Sequence, residues 1–280
     1  MTILGANFKT GAAVKIGGVS ATSVTVVNAT KITAKTPMLT SGKLVDVSVV
    51  NPDNGQGNLA KGFFADFSDV PGSNLFHPDV ESIFRTSVTA GCSDGTIYCV
   101  DSIVTRAQMA VFLLKAEHGS AYVPPGCAAN PTVFADVVCP SLYADWIEQL
   151  AAEGVTAGCG GANYCPDASV TRKQMAVFLL KTEHGSTYVP PGCAANPVSF
   201  GDVACPSQYA DWIEQLASEG ITAGCGGGNY CPNLAVLRGP MATFLAKTFG
   251  LSPTTPDPVV PLSPERPEPR KLQPPGQEPE

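Results

Sequence analysis

The chain has 280 residues, 44% of them hydrophobic and only 15% charged, with a formal net charge of −7. The apolar share is enough for a packed core, while the charged share falls well under the roughly 25% of an ordinary soluble domain. The acidic balance excludes nucleic acid as a partner, since phosphate binding needs a basic face, and no segment nears the roughly 20 apolar residues that insertion into a membrane requires.

In chain order, Thr2-Ile3-Leu4-Gly5 reads as a strand entering a turn, without the basic and apolar regions of a signal peptide. The expectation is a fragment whose true N-terminus, with its export signal, lies upstream. Alternating stretches follow at Val24 to Val27, Lys31 to Lys35 and Leu44 to Val49, separated by Gly, Asn and Pro turns. These are short strands of a β module over residues 1–66. Asn7-Phe8, Gly17-Gly18-Val19, Ile32-Thr33-Ala34-Lys35-Thr36-Pro37 and Val49-Val50-Asn51-Pro52-Asp53 resemble the IPT/TIG immunoglobulin-like family. The resemblance implies an all-β sandwich, here N-terminally truncated, that serves as a spacer or adhesion domain.

Beyond it the chain repeats. The segment Ala135 to Gly161 returns almost unchanged from Gly201 to Gly227, and Cys127, Cys139, Trp146 and Cys159 each recur 66 positions later. A diverged earlier copy opens at Phe67-Ser68-Asp69-Val70, aligned with Phe134-Ala135-Asp136-Val137. The three units span 67–133, 134–199 and 200–250. Each reads as helix, loop, helix. In the second unit Tyr143, Trp146, Ile147, Leu150 and Ala151 share one helical stripe, and Gly154-Val155 suits a Schellman-type end. A Gly-rich loop runs from Gly158 to Asp167. The second helix opens on a capping box, Thr171-Arg172-Lys173-Gln174, matched by Thr105-Arg106-Ala107-Gln108 and lost at Leu237-Arg238-Gly239-Pro240. Asp145 with Glu148, and Asp211 with Glu214, stand at i and i+3 and are expected on a solvated polar face.

Ten cysteines without a CxxC pair, in a chain with 28 Gly and 25 Pro, indicate disulfides and an oxidising compartment. Each loop holds one pair: Cys92 with Cys99, Cys159 with Cys165, Cys225 with Cys231. The junctions hold another kind, Cys127 with Cys139 and Cys193 with Cys205. In the first unit the matching positions are Ala60 and Gly72, so both partners are missing together. A zinc reading involving His77, His118 and His184 is weak, because the spacings are neither CxxC nor HxxxH. His118 and His184 are expected to cap their helices at the surface, and neither a metal nor a cofactor is assigned.

Phe-x-Asp-Val, a helix ending in Gly-Val or Gly-Ile, a Gly-rich loop and Thr-Arg before a second helix resemble the S-layer homology family over about residues 67–250. The resemblance implies a mainly α three-repeat array in a pseudo-threefold arrangement, with an acidic cell-wall polysaccharide bound noncovalently between units. Its Thr-Arg arginine falls on Arg106, Arg172 and Arg238, and its Asp-Gly loop is intact only as Asp94-Gly95. A guanidinium suits a carboxylate, and helix N-termini attract anions. The sequence departs from the family where Cys92, Cys159 and Cys225 replace a loop aromatic, and where Gly160-Gly161 and Gly226-Gly227 replace acidic residues.

Residues 251–280 are Pro-rich and polar, and are expected to form a disordered tail. No convergent acid, base or nucleophile is evident. The sequence therefore predicts a non-catalytic protein of the bacterial cell surface, anchored to wall polysaccharide. The alternative is a structural or adhesive layer component whose repeats assemble with other copies of the chain.

Overall fold

The computed structural model describes residues 1–127, 133–193, 200–252 and 259. The chain divides into two compact units, one built from residues 1–39, 44–63 and the C-terminal segment from 256, the other from residues 40–43 and 64–255.

The first unit is all β. Strands β1 (Thr2–Leu4), β4 (Thr22–Asn28) and β5 (Lys31–Lys35) form a three-stranded sheet in the order β1-β5-β4. Strands β2 (Ala13–Ile16), β3 (Val19–Ser20), β6 (Lys43–Val50) and β7 (Gln56–Ala65) form a four-stranded sheet in the order β3-β2-β6-β7. Alternation sends Ile3, Val14, Ile16, Ile32, Val47 and Val49 into one core. Asn51, itself buried, accepts from Lys9 N–H and donates to Asn7 O, so the two turn motifs of the sequence hold each other. The Pro-rich segment expected to lack structure contributes one residue to this core. Val259 is 1% exposed and its N–H donates to Leu4 O at 3.0 Å. The rest of that segment, 253–258 and 260–280, lies outside the described residues.

Among the described residues six helices follow: α1 (His77–Arg85), α2 (Arg106–His118), α3 (Ala144–Ala152), α4 (Arg172–His184), α5 (Ala210–Ser218) and α6 (Arg238–Thr248). The second helix of each repeat buries most of its positions and is therefore central. In α2, Met109, Ala110, Phe112, Leu113 and Leu114 are all buried. Helices α2, α4 and α6 pack on one another, while α3 packs on α2, α5 on α4 and α1 on α6. Two of these pairs, α2 with α3 and α4 with α5, join consecutive repeats, and α1 with α6 joins the first to the third, although the sequence groups α3 with α4.

The helix ends follow the local code. Gly154 N–H donates to Ala151 O and Val155 N–H to Leu150 O, and Gly220 and Ile221 repeat both bonds on Ala217 and Leu216. This double bond is the Schellman motif expected after α3 and α5. In α1 the same position is Ser87, held at φ 59°. At the start of α2 the Thr105 hydroxyl accepts from Gln108 N–H, and the Gln108 amide oxygen accepts from Thr105 N–H. At α4 the Thr171 N–H and hydroxyl both donate to Gln174 Oε1, and at α6 Leu237 supplies no side-chain cap.

All ten cysteines pair as the repeat arithmetic indicates: Cys92–Cys99, Cys127–Cys139, Cys159–Cys165, Cys193–Cys205 and Cys225–Cys231. On the chain-entropy account each short loop closed contributes about 2–3 kcal/mol. Five disulfides point to an oxidising, extracellular compartment. Among the described residues no helix is long and apolar enough to cross a membrane.

The carboxylates expected on a solvated face are not there. Glu148 is 6% exposed and both its oxygens accept from Val133 N–H, at 3.0 and 2.9 Å. Asp145 accepts from Cys127 N–H and Asp211 from Cys193 N–H, each at 2.7 Å. Glu214 is 3% exposed. Cys127, Val133 and Cys193 supply these amides from outside the helix, which the helix's own periodicity does not reveal.

Candidate functional site: the seams between repeats

In the motif Phe134-Ala135-Asp136-Val137, Phe134 and Val137 enter the core while Asp136 turns to the loop that follows α3. Its two oxygens accept from Tyr164 N–H and Cys165 N–H, both at 2.7 Å. Burial raises the Asp136 pKa, but these two amides outweigh it and hold the carboxyl below its usual range. Asp202 likewise accepts from Tyr230 N–H and Cys231 N–H, and Asp69 accepts from Tyr98 N–H and Val100 N–H. Gly158 opens the loop at φ +88°, where a Cβ would meet Asn163 O at 2.3 Å, so a side chain is excluded there.

The loop is thereby presented to the neighbouring repeat. Tyr164 is fully buried; its hydroxyl donates to Arg106 O at 2.8 Å, and its own carbonyl accepts from Arg106 Nε at 2.7 Å. The guanidinium lies 4.6 Å from the Tyr164 ring centroid and 5.5 Å from that of Phe178. Arg172 repeats this on Tyr230, and Arg238 on Tyr98 in the first repeat. Val104 N–H donates to Val236 O, Val170 to Val104 O and Val236 to Val170 O, at 2.9, 3.1 and 2.8 Å.

The three arginines of the Thr-Arg motif are therefore brought against Tyr164, Tyr230 and Tyr98 and are 3%, 8% and 6% exposed at 106, 172 and 238. Burial lowers the pKa of Arg106 and Arg172, offset in part by Tyr164 with Asp136 and by Tyr230 with Asp202. The amides that a free helix N-terminus would offer an anion are engaged: Arg106 N–H donates to Ala168 O and Ala107 N–H to Pro166 O. Arg172 and Lys173, and Arg238 and Gly239, are bound likewise. Arg238 Nη2 reaches Gly91 O at 3.3 Å, whereas Arg106 Nη2 and Arg172 Nη2 are buried without a partner among the described residues.

Asp94 and Gly95 lie at the tip of the first loop, which the Arg238–Gly91 contact brings to the third repeat. Asp94 is exposed and accepts from the Thr96 hydroxyl and amide, which lower its pKa in that order. Gly95 takes φ +82° and donates to Cys92 O. Asp69, Asp136 and Asp202 and the three buried tyrosines were not singled out from sequence as seam residues. Their recurrence at one position per repeat was the available signal.

A groove of about 670 Å³ opens at the seam of α1 and α6. Phe76 and Asp79 border it from the first repeat, Ile221 and Lys247 from the third, and Arg172 from the second. Gly239 lets α1 approach, since a Cβ there would meet the Phe76 ring at 2.6 Å. Thr243 donates to Asp79 across the seam, and Lys247 Nζ to Gly220 O at 3.2 Å.

The helix-end histidines face the next repeat. His118 Nε2 lies 2.9 Å from Glu153 Oε1, and His184 Nε2 lies 3.0 Å from Glu219 Oε1. Glu117 and Glu183 are pushed up in pKa, first by burial and then by the facing Glu153 and Glu219.

Comparison with the curated proteins found no match. The family model of the IPT/TIG domain matches residues 1–64, the all-β part of the chain.

Proposed function

We propose that the chain is a non-catalytic bacterial surface protein whose residues 67–250 form a pseudo-threefold array of S-layer homology type. In this reading the array anchors the protein to the envelope by noncovalent binding of an acidic, cell-wall-associated polysaccharide. The closed sequence of hydrogen bonds among Val104, Val170 and Val236 supports the threefold closure. The observation that carries the ligand is the α1–α6 groove: Arg172, whose buried Nη2 has no partner among the described residues, and the exposed Lys247 both border a largely apolar cleft. A saccharide ring suits the apolar wall, and a sugar carboxylate suits the spare guanidinium donor. The IPT/TIG part acts as the spacer.

The test is co-sedimentation of the full chain with bacterial sacculi that retain their polysaccharide. Lys247→Glu, an exposed change whose fold is checked by circular dichroism, is expected to weaken binding about tenfold, or 1.4 kcal/mol. Equal sedimentation of both proteins would contradict the groove as the site. A second reading, assembly with other copies, is favoured by Val123, Val138, Leu142 and Val189, which are 80%, 71%, 80% and 80% exposed. Polymers that form with rising concentration in the absence of wall material would favour it.

A further inference from the structure

Glu117 and His118 end α2, and Glu153 caps α3; Glu183 and His184 end α4, and Glu219 caps α5. In each trio one ligand atom per residue lies within 4.8 Å of the others. His118 Nε2 stands 2.9 Å from Glu153 and 3.6 Å from Glu117, and His184 Nε2 stands 3.0 Å from Glu219 and 3.7 Å from Glu183. In each trio one imidazole faces two carboxylates, closely at Glu153 or Glu219 and at the longer distance at Glu117 or Glu183, so one cation of charge +1 at most meets two acidic groups. Both carboxylates also sit at helix C-termini, where the macrodipole already carries negative charge and favours a cation. Glu219 Oε2 is buried with no hydrogen-bond partner among the described residues.

The first ligands are held in place by a second layer. Gln149 Nε2 donates to Glu153 Oε1 at 2.7 Å, and Gln215 Nε2 to Glu219 Oε1 at 2.6 Å. The Tyr122 ring lies 4.4 Å from the His118 ring, and Tyr188 lies 4.4 Å from His184. Such outer contacts orient metal ligands. We propose that Glu117, His118 and Glu153, and likewise Glu183, His184 and Glu219, form two zinc-type divalent-metal sites that clamp consecutive repeats together.

Ligands about 2.0–2.1 Å from a tetrahedral zinc ion lie roughly 3.3 Å apart, which the observed histidine–carboxylate spacings bracket. One imidazole with two carboxylates suits zinc, whereas calcium and magnesium take oxygen ligands. The fourth position is left to water. The third seam, α6 on α1, carries Phe249, Gly250 and Thr86 at the corresponding positions, so the whole trio is replaced there. The two sites coincide with the two junctions that carry Cys127–Cys139 and Cys193–Cys205. Sequence spacing missed the sites because each joins residues 35 positions apart.

Calorimetric titration of the oxidised full chain with Zn²⁺ alone tests this, with no free thiol to compete. Two ions per chain are expected, one after His118→Ala and none after His118→Ala with His184→Ala, circular dichroism confirming that each variant is folded. Glu117→Gln keeps the His118–Glu153 pair and is expected to weaken its site about tenfold or more. The proposal is overturned if Zn²⁺ does not bind, if two ions still bind the double histidine variant, or if Glu117→Gln binds like the native chain.

Discussion

At each seam a buried arginine and a buried tyrosine each donate a side-chain hydrogen bond to the other's carbonyl, with the guanidinium over the ring. A charged donor on a carbonyl is worth about 1.5–3 kcal/mol and a desolvated cation–π contact about 2 kcal/mol. The unit also has a pH signature. Burial pushes the Tyr98, Tyr164 and Tyr230 hydroxyls well above their usual range, with the neighbouring arginine pulling partly back. Above the unfolded tyrosine pKa of about 10, the folded protein keeps protons that the unfolded chain releases. This stability is complete below pH about 10 and is lost as pH rises towards the folded values. The melting temperature is expected to fall above pH about 10, with a shallower fall in Tyr164→Phe, measured by calorimetry across the alkaline range. A native profile no steeper than that of Tyr164→Phe would contradict this.

At the scale of elements, the three first helices share one C-terminal motif but not one residue. Gly154 and Gly220 take the left-handed position without cost, whereas Ser87 holds it at φ 59° with a Cβ in the way. Ser87→Gly is expected to stabilise the array by about 0.5–1 kcal/mol, read as a shift in the urea midpoint; a destabilised variant would contradict this. Elements of this kind were legible because their determinants are local: Thr105 and Gln108 lie one turn apart, and Gly154 follows its helix directly. The cysteine pairs were legible through the repeat, since both junction cysteines are absent together where Ala60 and Gly72 stand. Asp145 and Glu148 were misread because their partners, Cys127 and Val133, arrive from outside the helix. The arginines were correctly placed at helix starts, yet their engagement with Tyr98, Tyr164 and Tyr230 depends on how the repeats are joined, which periodicity does not encode.

Over the whole molecule, the arrangement of repeats differs from an open stack, in which the last unit contacts only the one before it. Here Arg238 reaches back to Tyr98, and Val104 N–H donates to Val236 O. α1 packs beside α6, and the groove there brings Arg172, Asp79 and Lys247 together. No single repeat contains that set, so the proposed anchoring belongs to the assembled array and not to its parts. The two metal clamps concern only the junctions inside the array and leave the groove reading independent of them.

The most direct measurement is amide hydrogen exchange of the full chain with and without soluble fragments of wall polysaccharide. The account predicts added protection at Ile221 to Cys225 and along α6, with residues 1–64 unchanged. Protection confined to residues 1–64, or none at saturating fragment, would contradict polysaccharide binding in the groove.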